Sequence, residues 1–276
     1  MRRNNEERLL GGHKPKPSEE APQMQNPMDF VAPTEWVSLP SMGRYPKGHP
    51  LEGKDSIEIR YMTAKDEDIL TNRDLLKKGL AIDRLISNLI KDKSINPEHL
   101  YVGDRNAIMI YGRTSAYGAD YKTKLNCPNC GEPNKCVFDL SKHEVFHGNS
   151  FDTEIIQITE NATFIITLPL SKIKVEVRPL MGFDELDMIK NNKGGVMKDL
   201  VTKQMKRFVI SFNGYEDEKT INYVVDNMVA TDSKFLRDCF MLISPDVKVR
   251  NHFECRECGH EQEVNVPFGA DFFWPE

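Results

Sequence analysis

The sequence lacks the marks of the common enzyme classes and of a membrane anchor. No G-x-S-x-G, H-E-x-x-H or G-x-x-x-x-G-K-[ST] motif occurs, so no nucleophile elbow, helical zinc-protease site or phosphate-cradling loop is encoded in those forms. No apolar run approaches the roughly 20 residues of a membrane-spanning helix. The basic start MRRNNEERLLGGHKPKPSEE has no apolar stretch behind it to make a secretory signal. Positive charge is not in excess: 37 Lys and Arg face 42 Asp and Glu, a formal net charge of -5, whereas nucleic-acid binders usually need a basic face to neutralise phosphates. No internal repeat of fixed period is visible.

These absences describe a chain made and kept in a reducing cytoplasm, with no membrane and no small-molecule substrate. In that compartment its six cysteines point to metal ligation before disulfides. Asp184, Glu185 and Asp187 in FDELD fall early in a predicted helix, where they favour the helix dipole over acid–base chemistry. No catalytic residue is assigned, and the chain is read as a non-enzyme.

What is present is α+β in pattern: a zinc-ribbon-containing region, a strand-rich segment and an inserted helical subdomain. Residues 1–45 are read as an extended arm, too polar and proline-rich to fold alone, with Trp36, Val37 and Leu39 as an apolar strip that docks on a surface. Residues 46–136 form an α/β region with the first knuckle. SIEIRYM alternates as a strand, Thr63 and Asp66 make a capping box, and one longer helix is expected over Arg73–Lys91, then another over Gly103–Ser115. Residues 137–182 are strand-rich, through EIIQI, TFIITLP and KIKVEVRPL. Residues 183–250 read as helical, in four segments that include VMKDLVTKQMKRFVISF as one helix. Thr231 or Asp232 is expected as the N-cap of the last. Residues 251–276 hold the second knuckle and an aromatic tail.

Two segments match each other, Leu125-Asn-Cys127-Pro-Asn-Cys130-Gly131 and Phe253-Glu-Cys255-Arg-Glu-Cys258-Gly259. In each, a C-x-x-C turn turns backbone N–H groups toward the thiolates, and the glycine accepts the positive φ that the turn needs. Facing one another, the two knuckles would give four-sulfur tetrahedral ligation, which suits structural Zn. A compact ribbon keeps its pairs roughly 15–20 residues apart; here well over a hundred residues intervene, so the strands and helices between are an insertion clamped at its ends. Redox-active pairs fit poorly, since neither sits at a strand-to-helix start. Cys136 and Cys239 read as small core residues. His143, His147, His252 and His260 are possible substitute ligands, but His260 follows a complete pair and the others lack ligand spacing.

After the second knuckle come Phe268, Phe272, Phe273 and Trp274. Aromatics at a chain end need a surface to cover, either their own domain or a partner. With Trp36, these four are the candidate partner-binding residues.

The segments LPSMGRYP and MTAKDEDIL, the two C-x-x-C-G pairs and the terminal NVPFGADFFWP resemble, from about residue 30 to the end, the T-even-type bacteriophage baseplate protein family. The last of these is the most specific. The resemblance implies a baseplate hub subunit or hub-assembly protein of a contractile-tailed phage. It implies chaperone-like or structural contacts with other baseplate and hub proteins, assembly in the host cell cytoplasm, and a place in the virion tail baseplate if the chain stays there. The alternative reading is a nucleic-acid-binding zinc-ribbon protein, which the acidic balance opposes.

Overall fold

The computed structural model describes residues 31–191, 200–266, 268 and 270–273. The chain divides into Met1–Ala32 and Pro33–Glu276, and the described helices and strands all belong to the second unit. It opens with a hairpin, β1 (Thr34–Ser38) and β2 (Ser56–Arg60), followed by α1 (Ala64–Thr71), α2 (Arg73–Lys78), α3 (Ala81–Leu89) and α4 (Val102–Tyr117). A second hairpin, β3 (Asp120–Asn126) and β4 (Pro133–Asp139), leads to β5 (Glu144–Phe146). Then come β6 (Ile156–Ile158), β7 (Phe164–Thr167), β8 (Lys174–Val177), α5 (Gly182–Asn191), α6 (Leu200–Phe208), β9 (Val209–Phe212), α7 (Glu218–Asp226) and α8 (Ala230–Ile243). The chain closes with β10 (Asp246–Lys248), β11 (Arg250–Glu254), β12 (Glu261–Asn265) and a 3-10 turn at Ala270–Phe273. The sheets are small, ordered β1-β2, β3-β4, β5-β10, β11-β12 and β6-β7-β8-β9. Their strand pairs are antiparallel, so the class is α+β, as expected.

Local chemistry explains the start of α1 and the end of α2. The capping box forms as the sequence indicates: Asp66 accepts from the Thr63 N–H at 2.8 Å and from the Thr63 hydroxyl at 2.9 Å. The same carboxylate takes both guanidinium arms of Arg60, at 2.7 and 2.9 Å. The helix expected over Arg73–Lys91 is two helices. Gly79 lies between them at φ 71° and gives its N–H to the carbonyls of Leu75 and Leu76, the left-handed stop that glycine tolerates.

The helix expected through VMKDLVTKQMKRFVISF ends at Phe208. Val209–Phe212 instead pairs with β8, a β-branched start to a run that finds a strand partner. Val229, not Thr231 or Asp232, is the N-cap of α8. Asp232 is buried at the third helical position and accepts from the Leu170 and Ser171 N–H groups at 2.9 and 3.0 Å.

Two large apolar cores result among the described residues. The first gathers Val37, Leu39, Tyr45, Ile57, Leu85 and Ile108, and it also takes Val247, Val249, Val266, Phe272 and Phe273 from the end of the chain. Thr34–Tyr45, expected as the end of an arm, thus supplies core residues. The second core packs β6–β9 against α6, α7 and α8, through Ile166, Val175, Phe208, Leu236 and Phe240.

Candidate metal centre

Each cysteine pair sits at the tip of a hairpin. The β3–β4 register closes at Asn126↔Pro133, and the β11–β12 register closes at Glu254↔Glu261. The two turns are built alike. Cys127 N–H donates to the Glu132 carbonyl and Gly131 N–H to the Cys127 carbonyl, at 2.9 and 2.8 Å; Cys255 N–H and Gly259 N–H make the matching bonds at 2.9 and 2.9 Å. Gly131 and Gly259 take φ of 78° and 66°, which is why a glycine follows each pair.

The hairpins meet tip to tip. The Sγ atoms of Cys127 and Cys258 are 3.7 Å apart, those of Cys130 and Cys255 3.6 Å, and all four lie within 4.8 Å of one another. Four sulfurs each about 2.3 Å from a tetrahedral ion stand about 3.8 Å apart, so the donor set and its spacing fit a metal that takes four thiolates. Cys127 and Cys255 are buried against Phe253, while Cys130 and Cys258 are exposed.

The polar surroundings favour thiolate at Cys255 and Cys258. N–H groups of Cys258 and Glu257 and the Asn134 amide draw Cys255 down to about 6. Asn129, then the His260 N–H, lower Cys258. For Cys130 the Glu132 N–H acts downward, but desolvation and the thiol contacts to Cys258, Cys255 and Cys127 outweigh it and push this thiol up to about 12.

Asn129 and Asn134 were not singled out from sequence. The Asn134 amide reaches Cys255 Sγ at 3.4 Å and its oxygen accepts from the Arg256 N–H at 3.1 Å, tying the first hairpin to the second turn. Asn129 is readable in hindsight because it lies inside C-P-N-C; Asn134 leaves no local signal, since its partner is 121 residues away.

The histidines weighed as ligands are engaged elsewhere or lie outside the cluster. His143 and His147 bond the carbonyls of Leu140 and Pro40, His252 faces Glu261 at 3.7 Å, and His260 is not among the four clustered groups. The acidic group of α5 is structural: Asp184 binds Arg178, Glu185 binds Arg105, and Asp187 binds Arg207.

Of the candidate partner contacts, Trp36 is 65% exposed. Phe268 is partly buried against the first core. Phe272 and Phe273 are fully buried within the chain's own core, Phe272 lying 5.1 Å from the Tyr121 ring and accepting at its carbonyl from Arg113 Nε at 3.2 Å. Of the two surfaces the sequence leaves open for these rings, their own domain or a partner, Phe272 and Phe273 cover the first. Trp274 lies outside the described residues.

Fold and site define an α+β protein whose densest chemistry is a closed ring of four thiols at the meeting of two hairpins. Residues 42–274 match the family described as T4 bacteriophage base plate protein, and the chain belongs to that family. No curated protein and no solved structure matches it.

Proposed function

We propose that this chain is a structural or chaperone-like assembly protein of the baseplate hub, working through contacts with other hub subunits, and that Cys127, Cys130, Cys255 and Cys258 hold a structural zinc ion. The observation that carries the reading is the family match, which runs through both knuckles. Four thiolates on one ion leave no position for water or substrate, so zinc here supplies folding free energy rather than chemistry. Contact with partners falls to surfaces outside the cores, Trp36 first, with Phe268 and Trp274 as further candidates. The chain acts in the host cell cytoplasm during tail assembly and stays in the tail baseplate if it is a permanent subunit.

The test is to isolate hub intermediates and finished virions from infected cells with a tagged full-length chain. Recovery in hub-containing complexes supports the role, and its presence or absence in virions separates a subunit from a transient factor. A chain recovered only free of baseplate proteins overturns it. Mass spectrometry under native conditions tests zinc independently.

A further inference from the structure

The chain contains the same unit twice. Val37↔Ile57, Trp36↔Glu58 and Glu35↔Ile59 in the first hairpin recur as Ile166↔Val175, Ile165↔Glu176 and Phe164↔Val177 in the β7–β8 pair. Both first strands run into Leu-Pro, at Leu39-Pro40 and Leu168-Pro169. The N–H of the next residue, Ser41 or Leu170, donates at 2.9 Å to a buried aspartate at the third position of a later helix, Asp104 of α4 or Asp232 of α8. An arginine at the end of β2 and one directly after β8 each clamp the aspartate six residues on, Arg60–Asp66 and Arg178–Asp184, and each aspartate also caps its helix by accepting from a backbone N–H at 2.8 or 2.9 Å. A third strand position follows in each, Ile90 bridging Ile59 and Val209 pairing with Val177. Each unit then ends in a cysteine hairpin.

The two copies differ at one edge. In the second, β7 is covered on its outer side by β6, with Gln157 opposite Ile165. In the first, the twin of that edge is open. Bonds from Leu39 N–H to the Asp55 carbonyl and from Tyr61 N–H to the Pro33 carbonyl put the odd-numbered residues of β1 in its hydrogen-bonded pairs with β2. The N–H and C=O groups of Thr34, Trp36 and Ser38 therefore point away from β2. Among the described residues nothing pairs with those of Trp36, whose side chain is exposed as well.

We infer that the outer edge of β1 is a strand-acceptor site, taking a short extended segment of a partner protein that runs antiparallel to β1 as β6 runs to β7. The twin states the occupant's chemistry: alternating branched aliphatics around one polar residue, as in Ile156-Gln157-Ile158. Main-chain bonds to Trp36 supply the affinity and its ring covers the outward side chain, the logic of β-augmentation. The site rests on the reading of this chain as one that works by protein contacts, and it names the first such contact.

The probe is a synthetic peptide carrying the sequence Asp152–Glu160, added to the full-length chain while amide hydrogen exchange is followed by NMR. Exchange at Trp36 is expected to slow about tenfold when the peptide stands at ten times its Kd. Ser38→Pro should abolish the slowing without loss of melting temperature or metal, because the Ser38 N–H is not used by β2 and the edge tolerates proline. Trp36→Lys is the second variant, weakening binding through an edge charge alone.

Unchanged exchange at Trp36 with millimolar peptide overturns the proposal. So does protection already present in the isolated monomer, which would mean the chain covers its own edge. Protection that disappears on dilution would name a second copy as occupant and overturn it too. Absence of the chain from hub complexes would sink the proposed function and leave the peptide result standing.

Discussion

The six cysteines fall into two kinds by their neighbours. Cys127, Cys130, Cys255 and Cys258 face one another across two turns. Cys239 is buried within the second core, where burial, then the Asp238 charge, pushes its thiol up to about 11; Cys136 lies beside the first core and the cluster, its thiol also raised by burial. Replacing Cys127 or Cys258 with Ser removes one of four sulfurs. The expected result is zinc stoichiometry near zero and a melting temperature lower by about 6–12 °C, the equivalent of roughly 3 kcal/mol in a chain of this size. Cys136→Ser and Cys239→Ser should keep the metal, so zinc content read beside thermal melting separates the groups. Equal zinc content in all four variants would remove the metal assignment.

At the scale of elements, legibility followed the range of the interaction. The Thr63–Asp66 box and the two C-x-x-C-G turns were readable because every atom that shapes them lies within a few residues. The α6–β9 boundary was not, because Val209–Phe212 continues an amphipathic pattern and becomes a strand only through β8. The N-cap of α8 was misread for a similar reason: Asp232 turns its oxygens to Leu170 and Ser171, about sixty residues earlier in the sequence. The duplication left no fixed period, since a long loop between β1 and β2 answers to a short one between β7 and β8, and an insertion after β9 shifts the offset again.

The clamp that opens α1 makes a pH prediction. Burial works against the Asp66 charge, but the Arg60 guanidinium and the Thr63 N–H and hydroxyl outweigh it and hold its pKa below the usual 3.8. A lowered folded value stabilises the native state above the unfolded pKa, and that stability is lost as pH falls through the folded one. Arg60→Met should cost about 3 kcal/mol at pH 7 by stranding a buried carboxylate. The gap from wild type should narrow as pH falls below about 4, where Asp66 is neutral when unfolded. Urea unfolding at pH 7 and pH 3 reads both values; an equal gap at the two would assign the loss to packing instead.

For the whole molecule, the end of the chain is tied back to its beginning in two separate ways. One tie is the cysteine cluster, joining hairpin tips that are mostly exposed. The other is apolar: Val266, Phe272 and Phe273 complete the core begun by Val37 and Leu39, and Arg113, buried, lies over Tyr117 and Tyr121 and donates to the Phe272 carbonyl. The aromatic tail was visible in the sequence, but what it covers was not, because Tyr121 and Arg113 come more than a hundred residues earlier. If the ties are independent, they fail differently. Phe272→Ala should cost about 3–5 kcal/mol, lowering protection of α4 amides while the cysteine turns stay metal-bound. Chelation of the zinc-loaded protein should do the reverse, speeding exchange in the two turns at Cys127–Gly131 and Cys255–Gly259 and leaving α4 protected. Hydrogen exchange on both samples distinguishes these outcomes. Collapse of α4 protection on chelation alone would mean that the metal, rather than the aromatic tail, holds the first core closed.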